Sequence, residues 1–288
     1  MRVIGLIFCF LLGLAQPALA EAPLRYRTLE QQLSYLVAAN PGNVGIAALD
    51  LNTGELVSVL GDEPFPMAST VKVAIAANYL SQVEFGRRSL DDTIRGRSTR
   101  SLMEAMLIHS DNNATDMLLR DLGGPATVQK WLDQHRITGL RIDRSIAQLL
   151  ADRRDLRDVR DSATPKAMVD LLKRIDSGAL LKPQSRNYLL DLMARCATGR
   201  NRIRAMLPAG TPVQHKTGTL SGYTSDVGFI TLPNGHRIAV ALFARQGTNR
   251  PATIARAARV IFDGFTAVLR YPFQAATAAG ATAYARPQ

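Results

Sequence analysis

Cysteine is almost missing from this chain: Cys9 and Cys196 are the only two in 288 residues. Cys9 lies inside an N-terminal apolar run, so an exported form keeps Cys196 alone and can build no internal disulfide. A single thiol without a surrounding motif is expected to pack as a small hydrophobe. Aromatic residues are also sparse, at 6%. That is too few for base-stacking platforms, and the arginines are scattered, so the net charge of +11 points to anionic envelope polymers or headgroups rather than to nucleic acid. There is no G-x-S-x-G elbow, no H-E-x-x-H and no Cys/His ligand cluster, and the four histidines are dispersed. Neither an elbow-type esterase nor a metalloenzyme is indicated, and no cofactor is expected.

Long apolar runs are confined to the start. Arg2 precedes the apolar residues 3–14, and Ala18-Leu19-Ala20 forms a small-x-small cleavage site. Residues 1–20 therefore read as a secretory signal peptide, too short to span a bilayer comfortably. Export is expected, with the periplasm as destination, no stable membrane insertion and a monomeric mature protein.

The rest has ordinary globular composition, 47% hydrophobic and 20% charged. Residues 25–39 show helical apolar spacing, stopped at Asn40-Pro41-Gly42-Asn43. Residues 44–51 and 55–60 read as strands joined by the turn Asn52-Thr53-Gly54. Residues 63–207 are mostly helical, with helices expected at 69–83, 101–109, 113–121, from Thr164-Pro165 to 175, and at 185–195. Strand patterns return at 213–219, 225–232 and 237–245, and 251–269 closes as a helix. The fold class this implies is α+β, with a five-stranded antiparallel sheet covered by N- and C-terminal helices. The lobe of sheet and terminal helices comprises 21–62 and 208–272; an all-helical lobe, 63–207, is inserted in it, and 273–288 is expected to be a disordered tail. A groove between lobes is a usual place for a site.

Three short motifs carry the chemistry. Ser69-Thr70-Val71-Lys72 opens a helix, where positions i and i+3 share a face, so hydroxyl and amine can be neighbours. A desolvated lysine near other cations can act as a base, and a helix N-terminus offers N–H groups to an oxyanion. S-x-x-K alone is weak, since composition produces about one match per chain of this size. Ser110-Asp111-Asn112 and Lys216-Thr217-Gly218 are rarer, although a helix cap and an exposed strand end would explain each separately. His215, adjacent to Lys216 on a strand, should point away from the Lys216 side chain.

Together, in this order, the three motifs are the set of penicillin-binding proteins and class A β-lactamases. The chain resembles the class A β-lactamase family over about residues 25–270. The resemblance implies that Ser69 attacks a lactam carbonyl, with its own N–H and that of Thr219 forming the oxyanion hole. It implies that Lys72 takes part in proton transfer from Ser69. Ser110 would pass a proton to the departing nitrogen, with Lys216 tuning that hydroxyl. Asn112 would hold the substrate amide and contact Lys72, and Thr217 and Thr219 would bind the substrate carboxylate. Arg202 matches a family arginine that supports carboxylate binding, with a surface ion pair as the alternative.

The family's E-x-x-L-N loop motif is absent. In residues 142–150 (IDRSIAQLL), Ile146 stands where the water-activating Glu is expected and Leu150 where the Asn is. Arg144 and Asp161 still resemble the pair that clamps the loop ends, with about two extra residues between them. Isoleucine can neither accept a proton nor orient water. The expectation is therefore acylation by β-lactams with slow deacylation. Asp152, Asp155 or Asp158 would be a substitute base if the longer loop folded inward. A D,D-peptidase or acyl transferase acting on cell-wall peptides, and a covalent β-lactam sensor, are the alternatives.

Overall fold

The structure, a computed structural model, describes residues 24–153 and 155–270. The expected signal peptide and the expected tail lie outside these residues. Five strands form one antiparallel sheet: β1 (Asn43–Asp50), β2 (Leu56–Val59), β3 (Val213–Leu220), β4 (Tyr223–Thr231) and β5 (Arg237–Arg245). Their spatial order is β2-β1-β5-β4-β3, so the first and last strands in sequence pair at the centre. This is the α+β arrangement read from the sequence.

Burial on both faces explains why β1 and β5 read as nearly continuous apolar runs. Ile46, Ala48, Ile238, Val240 and Leu242 face a core shared with α1 (Arg27–Ala38) and α9 (Arg250–Arg270), closed by Ile254, Ile261 and Phe265. Their neighbours Ala47, Ala239, Ala241 and Phe243 face the larger core containing the inner helices. A strand buried on both faces has no polar face to alternate with.

The inner helices are α2 (Lys72–Glu84), α3 (Thr99–Ile108), α4 (Asn112–Asp121), α5 (Pro125–Gln134), α6 (Ile146–Ala151), α7 (Pro165–Asp176) and α8 (Pro183–Ala194). Their starts follow local chemistry. Ser98, Asp111 and Thr164 each accept a backbone N–H three residues on, from Ser101, Ala114 and Ala167. Helix α2 is buried almost throughout its first ten residues and ties the sheet's neighbourhood to the helical core. Helices α5 and α6 were not expected from the sequence. The six-residue α6 forms inside the long loop because Ser145 and Gln148 make a complete capping box.

Among the described residues no helix is long and apolar enough to cross a membrane.

Candidate active site

The three motifs meet where the start of α2, the turn before α4 and strand β3 converge. A 3-10 turn, Ala68–Val71, leads into α2 and carries Ser69, which is half-buried. Ala68 holds a left-handed backbone (φ 49°), as does Ser110 (φ 59°). Such conformations cost non-glycine residues roughly 1–2 kcal/mol each and gather where a site is over-determined by its surroundings. Strand β3 packs directly against the 3-10 turn. Gly218 allows that approach, because a Cβ there would lie 2.7 Å from the Met67 carbonyl oxygen and 3.1 Å from the Ala68 Cβ. The glycine of K-T-G is thus explained by packing.

Lys72 and Lys216 are fully buried. Lys72 Nζ donates to the Ser110 carbonyl oxygen at 2.7 Å and to Asn112 Oδ1 at 2.8 Å, and lies 3.3 Å from Ser110 Oγ. Lys216 Nζ donates to Ser110 Oγ at 2.9 Å and to the Thr217 carbonyl oxygen at 2.9 Å. Ser110 Oγ therefore sits between two lysine amines. With its lone pairs facing amines, its own proton is free for a group that approaches it.

Burial first, and then the Lys216 charge, bring the Lys72 pKa down to about 7 against the opposing effect of Asp111 and Asp116. Burial likewise brings Lys216 down to about 8, with Arg202 adding to the effect and Asp226 opposing it. A substantial share of Lys72 is consequently neutral near pH 7 and able to accept a proton.

The carboxylate-binding candidates line up beside β3. Arg202 donates to Thr219 Oγ1 at 2.6 Å, to the Gly218 carbonyl oxygen at 3.0 Å and to the Ser225 carbonyl oxygen at 2.8 Å. It is thus fixed against β3, in carbonyl and hydroxyl contacts rather than the surface ion pair weighed as the alternative. Thr219 is exposed. Thr217 is buried, and its hydroxyl lies 2.6 Å from that of Thr198, a partner the sequence reading missed. Behind this face His215 Nδ1 meets Asp226 at 2.8 Å, both fully buried, pointing away from Lys216 as strand alternation requires.

The loop is clamped as expected. Arg144 Nε donates to Asp161 Oδ2 at 2.6 Å, and the N–H groups of Asp143 and Arg144 donate to Asp161 Oδ1. Asp161 also connects to the serine turn, because its carbonyl oxygen accepts from the Met67 N–H at 2.9 Å. Of the three loop acids considered as substitute bases, two are bound to Arg144: Asp152 at 2.7 Å and Asp158 at 3.3 Å. Asp158 also pairs with Arg160, which holds its carboxyl down at about 2. A carboxylate that acidic is a poor proton acceptor near neutrality. Asp155 lines a narrow cleft with Ala68, Leu149 and Leu220, but is exposed and accepts the Arg157 N–H at 2.8 Å.

Ile146 is buried, and Leu150 is exposed. The Ile146 and Ala147 N–H groups donate to the two carboxylate oxygens of Asp116, at 2.8 and 2.9 Å. Asp116 was not singled out from the sequence. Its signal was its position four residues after Asn112 on the same helix. Among the described residues, no three His, Cys, Asp or Glu side chains group as a metal site would need.

Comparison with known proteins agrees with this geometry. The sequence pattern of the Beta-lactamase enzyme family matches residues 28–265. The carbapenem-hydrolyzing β-lactamase KPC of Klebsiella oxytoca is 30% identical over 248 residues, covering 77% of this chain and 84% of that protein. The extended-spectrum β-lactamase PER-1 of Pseudomonas aeruginosa is 28% identical over 263 residues, covering 81% and 83%. Among solved structures, the class A β-lactamase of the last common ancestor of Gram-negative bacteria superposes with a TM-score of 0.78 at 35% identity, covering 83% of this chain and 99% of that one. A β-lactamase from Chitinophaga pinensis DSM 2588 superposes at 0.77 with 29% identity, covering the same shares. The chain belongs to the class A β-lactamase family and is a serine β-lactam hydrolase of that type.

Proposed function

We propose that Ser69 is the nucleophile and that the protein forms an acyl-enzyme with β-lactams faster than it hydrolyses it. The observation that carries this reading is Ser110 Oγ held between Lys72 and Lys216. In the step proposed, Ser69 Oγ forms an ester bond to the lactam carbonyl carbon, and the C–N bond of the ring breaks. The Ser69 proton passes to neutral Lys72; Ser110 delivers its own proton to the departing nitrogen and is reprotonated by the Lys72 ammonium, whose Nζ lies 3.3 Å from Ser110 Oγ. The N–H groups of Ser69 and Thr219 would take the carbonyl oxygen's charge. Thr217, paired with Thr198, and Thr219, held by Arg202, would bind the substrate carboxylate, and Asn112 the amide side chain.

Deacylation needs a water and a base. Ile146 supplies no base, and Asp152 and Asp158 are occupied by arginines. General-base help is typically worth about 10²–10⁴-fold, so its loss leaves a long-lived ester. The leader-like residues 1–20 support export to the periplasm as part of the same reading.

Intact-mass measurements of mature protein mixed with a penicillin, run beside product formation, test this. A persistent adduct on Ser69 with little product is expected. Fast product without a lasting adduct would overturn slow deacylation and make Asp155→Asn the next variant to assay. Neither adduct nor product, with cleavage of a D-Ala-D-Ala peptide, would transfer the site to cell-wall peptides.

A further inference from the structure

We propose that Thr198 and Cys196 are positioning residues for the Thr217 hydroxyl, forming a hydrogen-bonded chain behind it that keeps its proton turned toward a substrate carboxylate. This rests on the reading of Thr217 as a carboxylate ligand. Thr198 Oγ1 lies 2.6 Å from Thr217 Oγ1, and Cys196 Sγ lies 3.4 Å from Thr198 Oγ1. Cys196 and Thr217 are both buried, at 5% and 4% exposure. The segment that carries the two inner members is anchored, because the Ala197 N–H donates to the Ile108 carbonyl oxygen at 3.0 Å, two residues before Ser110. Gly199, with φ 73°, lets the segment lie against β3, since a Cβ there would fall 2.4 Å from Thr217 Cγ2. The Thr217 methyl is thereby pinned beneath Gly199, and its hydroxyl is left facing Thr198 in a side chain already stiff at χ1.

Proton counting gives the chain its direction. A carboxylate only accepts, so a hydroxyl that binds one must donate to it. Thr217 has one hydroxyl proton; with that proton on the substrate, its oxygen accepts from Thr198. The Thr198 hydroxyl, having donated, accepts in turn from the Cys196 S–H, which ends the chain in the interior. The thiol's other acceptor, the Thr198 carbonyl oxygen, is farther away at 3.9 Å. Without the thiol the two hydroxyls can turn round. Thr217 then donates inward to Thr198 and presents lone pairs to the carboxylate, which repel it. Arg202 reaches Thr219 Oγ1, at 2.6 Å, so the two carboxylate ligands are set by separate devices.

Nuclear magnetic resonance titration in a Ser69→Ala background reads non-covalent binding of a penicillin and of its carboxylate methyl ester, without acylation. The acid should bind more tightly than the ester. Thr198→Val, Cys196→Ala and Cys196→Val should each weaken binding of the acid about three- to tenfold and leave the ester unchanged. Cys196→Ser keeps a donor and should hold the acid within about twofold of its starting affinity. Adding Cys196→Ala to Thr198→Val should weaken the acid no further, because the two groups act in series. Cys196→Val fills the thiol's space without a donor, so a packing role alone would spare it; Cys196→Ala repeats the test if that variant does not fold. Undiminished binding of the acid by the Cys196 variants, or equal losses for acid and ester, would overturn the proposal and leave residues 196–198 a packing segment. Equal binding of acid and ester before any change at 196 or 198 would overturn it through the carboxylate reading instead. Acylation by Ser69 is tested apart from this, in the adduct measurement.

Discussion

The two sides of the candidate site are built on opposite plans. On the side of α2, α4 and β3, cations are buried, brought together around one hydroxyl and left short of counter-charge, so Lys72 and Lys216 fall to about 7 and 8. On the loop side, charge is abundant but satisfied: Arg144 alone meets Asp152, Asp158 and Asp161, and the side chain aimed inward at the former Glu position is an aliphatic one. Reactivity needs ionisable groups whose charge is costly where they stand. The first side has them, and the second has neutralised them. In the proposed reading, the machinery for making an ester and that for hydrolysing it are separable, and only the first is equipped.

The sharpest way to break this contrast is to restore a carboxylate. Ile146→Glu should raise the deacylation rate by on the order of 10²-fold, read as the decay of the mass adduct. No acceleration in a folded variant would mean that the longer loop also misplaces position 146. The second way attacks the loop's self-pairing. Arg144→Met leaves the buried Asp161 carboxylate without its ion partner and should cost roughly 3 kcal/mol of stability, read by denaturant unfolding. A change below about 0.5 kcal/mol would show that the Asp143 and Arg144 N–H groups suffice to hold Asp161. The smallest effect tests strain on the reactive side. Ser110→Gly relieves a left-handed backbone and should stabilise by up to about 1 kcal/mol while slowing acylation, because the shared hydroxyl is gone. A loss of stability instead would mean that the hydroxyl's bonds to the lysines outweigh the strain.

Much of this could be read along the chain. The pair Thr164-Pro165 marked the start of α7, and the apolar stretches of β1 and β5 followed from burial on both faces. S-x-x-K, S-D-N and K-T-G identified the family, and Ile146 raised the expectation of slow deacylation. Asp116 was silent because a lone aspartate in a helix looks like any solvated residue until its partners arrive from thirty residues away. The loop acids were ambiguous for a related reason: a carboxylate's basicity depends on which arginine reaches it.

The sequence by itself determined the parts: which residues can attack, which can carry a proton, which position carries neither, and where helices begin, since caps and turns act within four residues of chain. Tertiary structure decided what those parts can do. Lys72 and Lys216 reach Ser110 across 38 and 106 residues, and their lowered pKa values exist only because folding removes both from water and sets them side by side. Burial and proximity are properties of the packed chain, and no local pattern encodes them.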